Sequence, residues 1–149
     1  MSKVATETKT VNGIRSPVMQ AGAPDQTESV VFVHGNPGPA TDWAGLLTQV
    51  GEFTRAVAPD MPGYRASPVS LMRGPIEALR QLDRPALVLW GSDDVYLPWR
   101  LAERQLTAFP SARIELLEGL GHWPFHEDPA RVAELVLPFL RAHLGVPAP

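Results

Sequence analysis

Cysteine is absent from the 149 residues, which excludes a disulfide framework, a thiolate metal site and a cysteine nucleophile. An excess of positive charge is missing too. The 13 Lys and Arg against 16 Asp and Glu leave a net charge of -3, and the basic residues are scattered, so no phosphate-tracking stripe exists and nucleic acid is excluded as an expected partner. No apolar run approaches the roughly 20 residues that cross a bilayer, and Met1-Ser2-Lys3-Val4-Ala5-Thr6-Glu7 lacks the apolar core of a secretion signal. The expectation is a soluble, cytoplasmic protein with no membrane partner. At this length, 44% apolar residues suffice for one compact core and not for two, so residues 1–149 are read as a single domain.

What the sequence does have is punctuation: 16 prolines and 12 glycines with no low-complexity block, the mark of short elements joined by short connections and of an α/β protein. Val4 to Val11 alternates in polarity and meets Asn12-Gly13, a hairpin signal, before Ile14 to Met19 returns. Pro17 cannot donate to a ladder, which places the returning strand at a sheet edge or breaks it. Val30 to Val33 reads as a strand covered on both faces. Trp43, Leu46, Leu47 and Val50 then recur at helical spacing, with Thr41 or Asp42 as cap and Gly51 as stop. Arg55 to Ala58 reads as a strand, and the strand–helix–strand order implies a parallel crossover.

Further along, a short helix is expected over Pro75 to Leu82, a buried strand over Ala86 to Trp90, a helix over Pro98 to Phe109 and a strand over Arg113 to Leu117. The last helix is the clearest, with Asp128 as cap, Pro129 in the first turn and Val132, Leu135, Val136, Phe139 and Leu140 on one face. The strands starting at Val30 and Ala86 are expected centrally and close together, because both are apolar throughout.

In a parallel sheet, sites form outside the carboxyl ends of the strands. Three polar signatures fall at such ends: His34-Gly35-Asn36-Pro37-Gly38, Asp93-Asp94 and Gly121-His122. A carboxylate on one strand end and a histidine on the next form the orienting half of a nucleophile–base–acid triad.

These residues resemble the α/β-hydrolases. The loop His34 to Gly38 is similar to the family's oxyanion-hole loop in the His-Gly-x-Pro form of epoxide hydrolases and haloalkane dehalogenases. Asn36 resembles the halide-contacting asparagine of the latter. Ala58-Pro59-Asp60-Met61-Pro62-Gly63-Tyr64 is similar to the segment after the family's fourth strand. Gly91-Ser92-Asp93-Asp94-Val95-Tyr96-Leu97-Pro98 is similar to its acid loop, and Gly121-His122-Trp123-Pro124 with Glu127-Asp128-Pro129 to its histidine loop and final helix. The resemblance implies an abbreviated, mostly parallel α/β-hydrolase sheet with an N-terminal hairpin and flanking helices. It also implies a hydrolase of esters, epoxides or haloalkanes in which Asp94 is the acid, His122 the base, and no cofactor or metal takes part.

The departure from the family lies in the nucleophile. Its Gly-x-Ser-x-Gly or Gly-x-Asp elbow belongs on a strand between the Gly63 segment and the acid loop, and none stands there, so the nucleophile is unknown and the break falls near Ser67-Pro68. Gly91-Ser92-Asp93 is not that elbow, because Val95 occupies the position where a small residue permits the sharp turn. Ser67 and Ser70 neither follow a predicted strand nor sit between glycines. A metal site at His122, His126 and Glu127 is disfavoured by Pro124 between the histidines, and Trp43, Trp90, Trp99 and Trp123 are read as core or pocket-rim residues. The alternatives to an active enzyme acting on a small molecule are a non-catalytic remnant or binding module, or a part-enzyme completed by a partner chain. An exposed sheet edge would also pair two copies as a homodimer.

Overall fold

In the computed structural model, which describes residues 2–11, 13–34, 38–60, 81 and 84–147, the alternating N-terminal segment forms the expected hairpin. Strands β1 (Ala5–Val11) and β2 (Ile14–Ala21) run antiparallel in the register Val11↔Ile14, and Gly13 takes the positive φ of 80° that a two-residue turn requires. The chain forms two compact units, residues 1–72 and 73–149.

In the first unit, β3 (Ser29–Val31) and β4 (Arg55–Pro59) pair in parallel, and the sheet order is β1-β2-β4-β3. Helix α1 (Ala44–Val50) follows a 3-10 turn over Ala40–Trp43 and lays Leu46, Leu47 and Val50, all buried, against β2 and β4. Neither Thr41 nor Asp42 caps it; the 3-10 turn leads directly into the helix, with Trp43 at the cap position.

Two expectations about this sheet are corrected. Strand β2 is interior and passes through Pro17 unbroken. In an antiparallel ladder a residue's N and O face the same neighbour, and the Pro17 carbonyl accepts from Asp60 N at 2.9 Å, so the missing donor faces the last rung beside β4. Strand β3 is not central among the described residues but the edge of its sheet. Its apolar run is covered on one side only: Phe32 is buried while Val31 and Val33 are 56% and 52% exposed.

In the second unit, β5 (Leu87–Gly91) and β6 (Arg113–Leu117) form a parallel pair. The helix expected over Pro98 to Phe109 is instead two 3-10 turns, Trp99–Leu101 and Glu103–Thr107. Helices in proteins draw most of their stability from a packed apolar face, and here Ala102 is buried while Trp99 and Leu106 remain exposed. A short helix α2 (Pro124–Glu127), not anticipated, precedes α3 (Pro129–Leu144). Asp128 caps α3 as expected, accepting from Arg131 N at 3.0 Å, and Gly145 closes it at φ 65°. The helix expected over Pro75 to Leu82 lies, apart from Gln81, outside the described residues. A mixed four-stranded sheet with an N-terminal hairpin in the first unit, a parallel strand pair in the second and helices in each agree with the abbreviated α/β class read from the sequence.

Candidate active site

The β5–β6 ladder explains why the acid and histidine loops meet. Pairing ends at Gly91↔Leu117 and continues into the loops through Ser92 N to Leu117 O at 3.0 Å and Asp93 N to Leu120 O at 2.9 Å. The approach is so close that a Cβ on Gly91 would stand 2.1 Å from Gly121 O and 2.3 Å from Leu120 O. The residues that follow on each strand emerge side by side. His122 Nδ1 and Asp94 Oδ2 are 2.7 Å apart, with the Asp94 side chain 5% exposed and that of His122 21%.

The other Asp94 oxygen is also engaged. Oδ1 accepts from Tyr96 N and Leu97 N, both at 2.8 Å, the local turn that an aspartate makes with the backbone two and three residues on. Trp90 Nε1 donates to Leu97 O at 3.0 Å and ties the same loop to β5. Burial pushes the Asp94 carboxyl up, but the N–H of Leu97, the His122 ring and the N–H of Tyr96 outweigh it, and the net shift is below the ordinary value of 3.8. An ionised Asp94 fixes the Nδ1–H tautomer of His122 and leaves Nε2 as the acceptor. Tyr96 and Trp123 pack edge-on around the imidazole, with ring centroids 5.2 and 4.9 Å from it.

Asp93 is turned to other work: it is exposed and its Oδ1 accepts from Ser92 Oγ at 2.6 Å, while Ser92 Oγ accepts from Gly119 N at 2.8 Å. Ser67 and Ser70 lie outside the described residues. So do Gly35, Asn36 and Pro37 of the oxyanion-hole loop, whose flanking residues His34 and Gly38 are buried. In the first unit, Asp60 meets described residues on either side of that segment. Its Oδ1 accepts from Ala40 N at 2.8 Å and stands 4.0 Å from His34 Nε2, and its carbonyl accepts from Ser16 Oγ.

Two carboxylates quoted in motifs therefore act in ways spacing alone does not reveal, Asp60 here and Glu127 beside His122. Glu127 accepts from Gly121 N at 2.6 Å and Trp123 N at 3.1 Å. Of the tryptophans, Trp43 packs on Phe32 at 5.6 Å and Trp99 is exposed. Among the described residues no group of three or more His, Asp or Glu is arranged to hold a metal, and no helix is long and apolar enough to cross a membrane.

Residues 65–135 match the Alpha/beta hydrolase family. Over shorter stretches the chain is similar to proteins of known sequence. It is 45% identical over 56 residues to an uncharacterized protein of Mycobacterium tuberculosis, covering 38% of this chain and 16% of that one. It is 36% identical over 63 residues to a 2-hydroxy-6-oxononadienedioate/2-hydroxy-6-oxononatrienedioate hydrolase of Burkholderia vietnamiensis, covering 42% and 22%. A proline iminopeptidase of Lactobacillus delbrueckii subsp. lactis is 39% identical over 64 residues, covering 43% and 21%. The chain thus spans less than a quarter of the length of these relatives. Among solved structures, 2-hydroxy-6-oxo-6-phenylhexa-2,4-dienoate hydrolase from Rhodococcus superposes with a TM-score of 0.76 at 11% identity, over 95% of this chain and 100% of that one. A carboxylesterase from Bacillus subtilis gives 0.75 at 11%, over 94% and 92%. At such identities the likeness is one of fold.

Proposed function

We propose that this chain supplies the acid–base half of an α/β-hydrolase centre acting on a small molecule, and that turnover needs a nucleophile that no elbow in these 149 residues provides. The observation that carries the reading is the 2.7 Å contact between Asp94 and His122, with the second carboxylate oxygen held by two backbone N–H groups. With Nδ1–H donated to Asp94, His122 Nε2 takes the proton of an attacking hydroxyl or water, and Asp94 stays ionised and stabilises the imidazolium that forms. Esters, epoxides and haloalkanes are the candidate substrates. The His34-Gly35-Asn36-Pro37 sequence supports the latter two, and the names of the relatives add 6-oxo-dienedioate-type acids.

The chemistry needs an atom that attacks, and a triad without its nucleophile retains only the rate due to positioning. The purified chain is therefore expected to hydrolyse activated esters, epoxides and haloalkanes no faster than its His122→Ala variant, the control for adventitious cleavage by surface groups. In ¹⁵N NMR the neutral His122 ring is expected to carry its proton on Nδ1. A ring protonated at Nε2 would end the general-base reading. Saturable turnover lost in both His122→Ala and Asp94→Asn would overturn the need for an outside nucleophile and direct the search to Ser67, Ser70 and Asp93.

A further inference from the structure

We infer that Glu127 is a positioning residue for His122, a role that rests on the acid–base reading of the Asp94–His122 pair. Its two carboxylate oxygens accept from the amides immediately before and after that histidine: Oε2 from Gly121 N at 2.6 Å and Oε1 from Trp123 N at 3.1 Å. These N–H groups belong to the peptide planes on either side of the 121–122 peptide, so one side chain sets the orientation of both. The clamp is itself anchored, because His126 N and Glu127 N donate back to Trp123 O at 2.8 and 3.0 Å.

The loop also rests against Gly91, whose missing Cβ leaves the room that Leu120 O and Gly121 O occupy. The segment 120–123 is thus held both by the end of β5 and by the carboxylate of α2, and the two together set the direction in which the His122 ring leaves the backbone. Carboxylates accept strongly from backbone N–H groups, and a bond to a charged acceptor outweighs a neutral one. Glutamine presents a single carbonyl oxygen and a donor in place of the second, so it satisfies one amide and opposes the other. Glu127 bonds the backbone on either side of His122, and its influence on the ring passes through that backbone.

The test compares Glu127→Gln, Glu127→Ala and Asp128→Ala in the full chain by NMR. Asp128→Ala removes the α3 cap without touching the loop, and reports what a purely structural loss does. In the wild type, the Nδ1 proton of His122 gives a slowly exchanging low-field signal, and its absence would overturn the acid–base pair itself. In Glu127→Ala that proton and the Gly121 and Trp123 amides exchange about tenfold faster. Glu127→Gln protects one of the two amides only, and Asp128→Ala leaves all three signals in place while lowering Tm. Unchanged exchange at His122 in Glu127→Ala, with the wild-type signal present, would overturn the positioning role and leave the pair standing.

Discussion

Asp94 concentrates the chemistry of the site in one side chain, and its surroundings set the sign of a pH effect. Burial alone would raise its carboxyl, and the Leu97 amide, the His122 ring and the Tyr96 amide outweigh it, so its folded pKa lies below the ordinary 3.8. A group depressed on folding stabilises the protein above its unfolded pKa and loses that contribution as pH falls through the folded one. The stability difference between wild type and Asp94→Asn should therefore be largest near neutrality and shrink below about pH 4, which urea unfolding at stepped pH would measure. The same substitution keeps an oxygen for Tyr96 and Leu97 but turns an N–H₂ toward His122 Nδ1. That forces the proton onto Nε2 and abolishes the acceptor, so a complemented, active form should lose about 10⁴-fold in kcat. Gly91 is a second residue with a stark requirement. Gly91→Ala drives a Cβ into two backbone carbonyls, which no rotamer change relieves. A loss of about 2–4 kcal/mol in chemical denaturation is expected.

Elements differ in how far their own residues specify them. Asp128 and Pro129 begin α3 because the aspartate oxygen takes the Arg131 amide and proline lacks the amide that a first turn leaves unpaired. Asp128→Ala should cost about 1 kcal/mol, whereas Thr41→Ala, at a position that caps nothing, should stay within about 0.5 kcal/mol by the same thermal unfolding. Strands β4, β5 and β6 were legible within a residue or two because short, largely apolar runs end at Pro59-Asp60, Gly91 and Glu118-Gly119. The acid and histidine loops were legible because they follow two such runs. Trp99 to Thr107 was not, since leucine and alanine spacing cannot report that its would-be face finds little to bury it. Pro17 misled because its missing donor falls at the last rung beside β4, where Ser16 Oγ donates to the Asp60 carbonyl in its place. The roles of Glu127 and Asp60 were invisible for a different reason. Glu127 stands in the segment quoted before the last helix and Asp60 bonds a residue 20 positions away, and both partnerships exist only once the loops have closed.

At the scale of the molecule, we propose that the open side of β3 is where copies of the chain meet. Among the described residues it pairs with β4 on one side only, and Val31 and Val33 stand exposed along it, with no lysine inside the strand and no bulge of the kind that protects sheet edges. An unpaired strand edge offers a row of N–H and C=O groups to any extended segment, and a second copy carries the same edge, so a two-fold pairing satisfies both at once. We expect concentration-dependent dimerisation in sedimentation velocity between roughly 1 and 100 µM. Val31→Lys places a charge beside the edge without disturbing the buried Phe32 side and should shift the association constant at least about tenfold toward monomer. The pairing strand would then be β3 itself. A sample that stays monomeric over the whole range, or a dimer indifferent to Val31→Lys, would rule out this edge as the surface through which the chain self-associates.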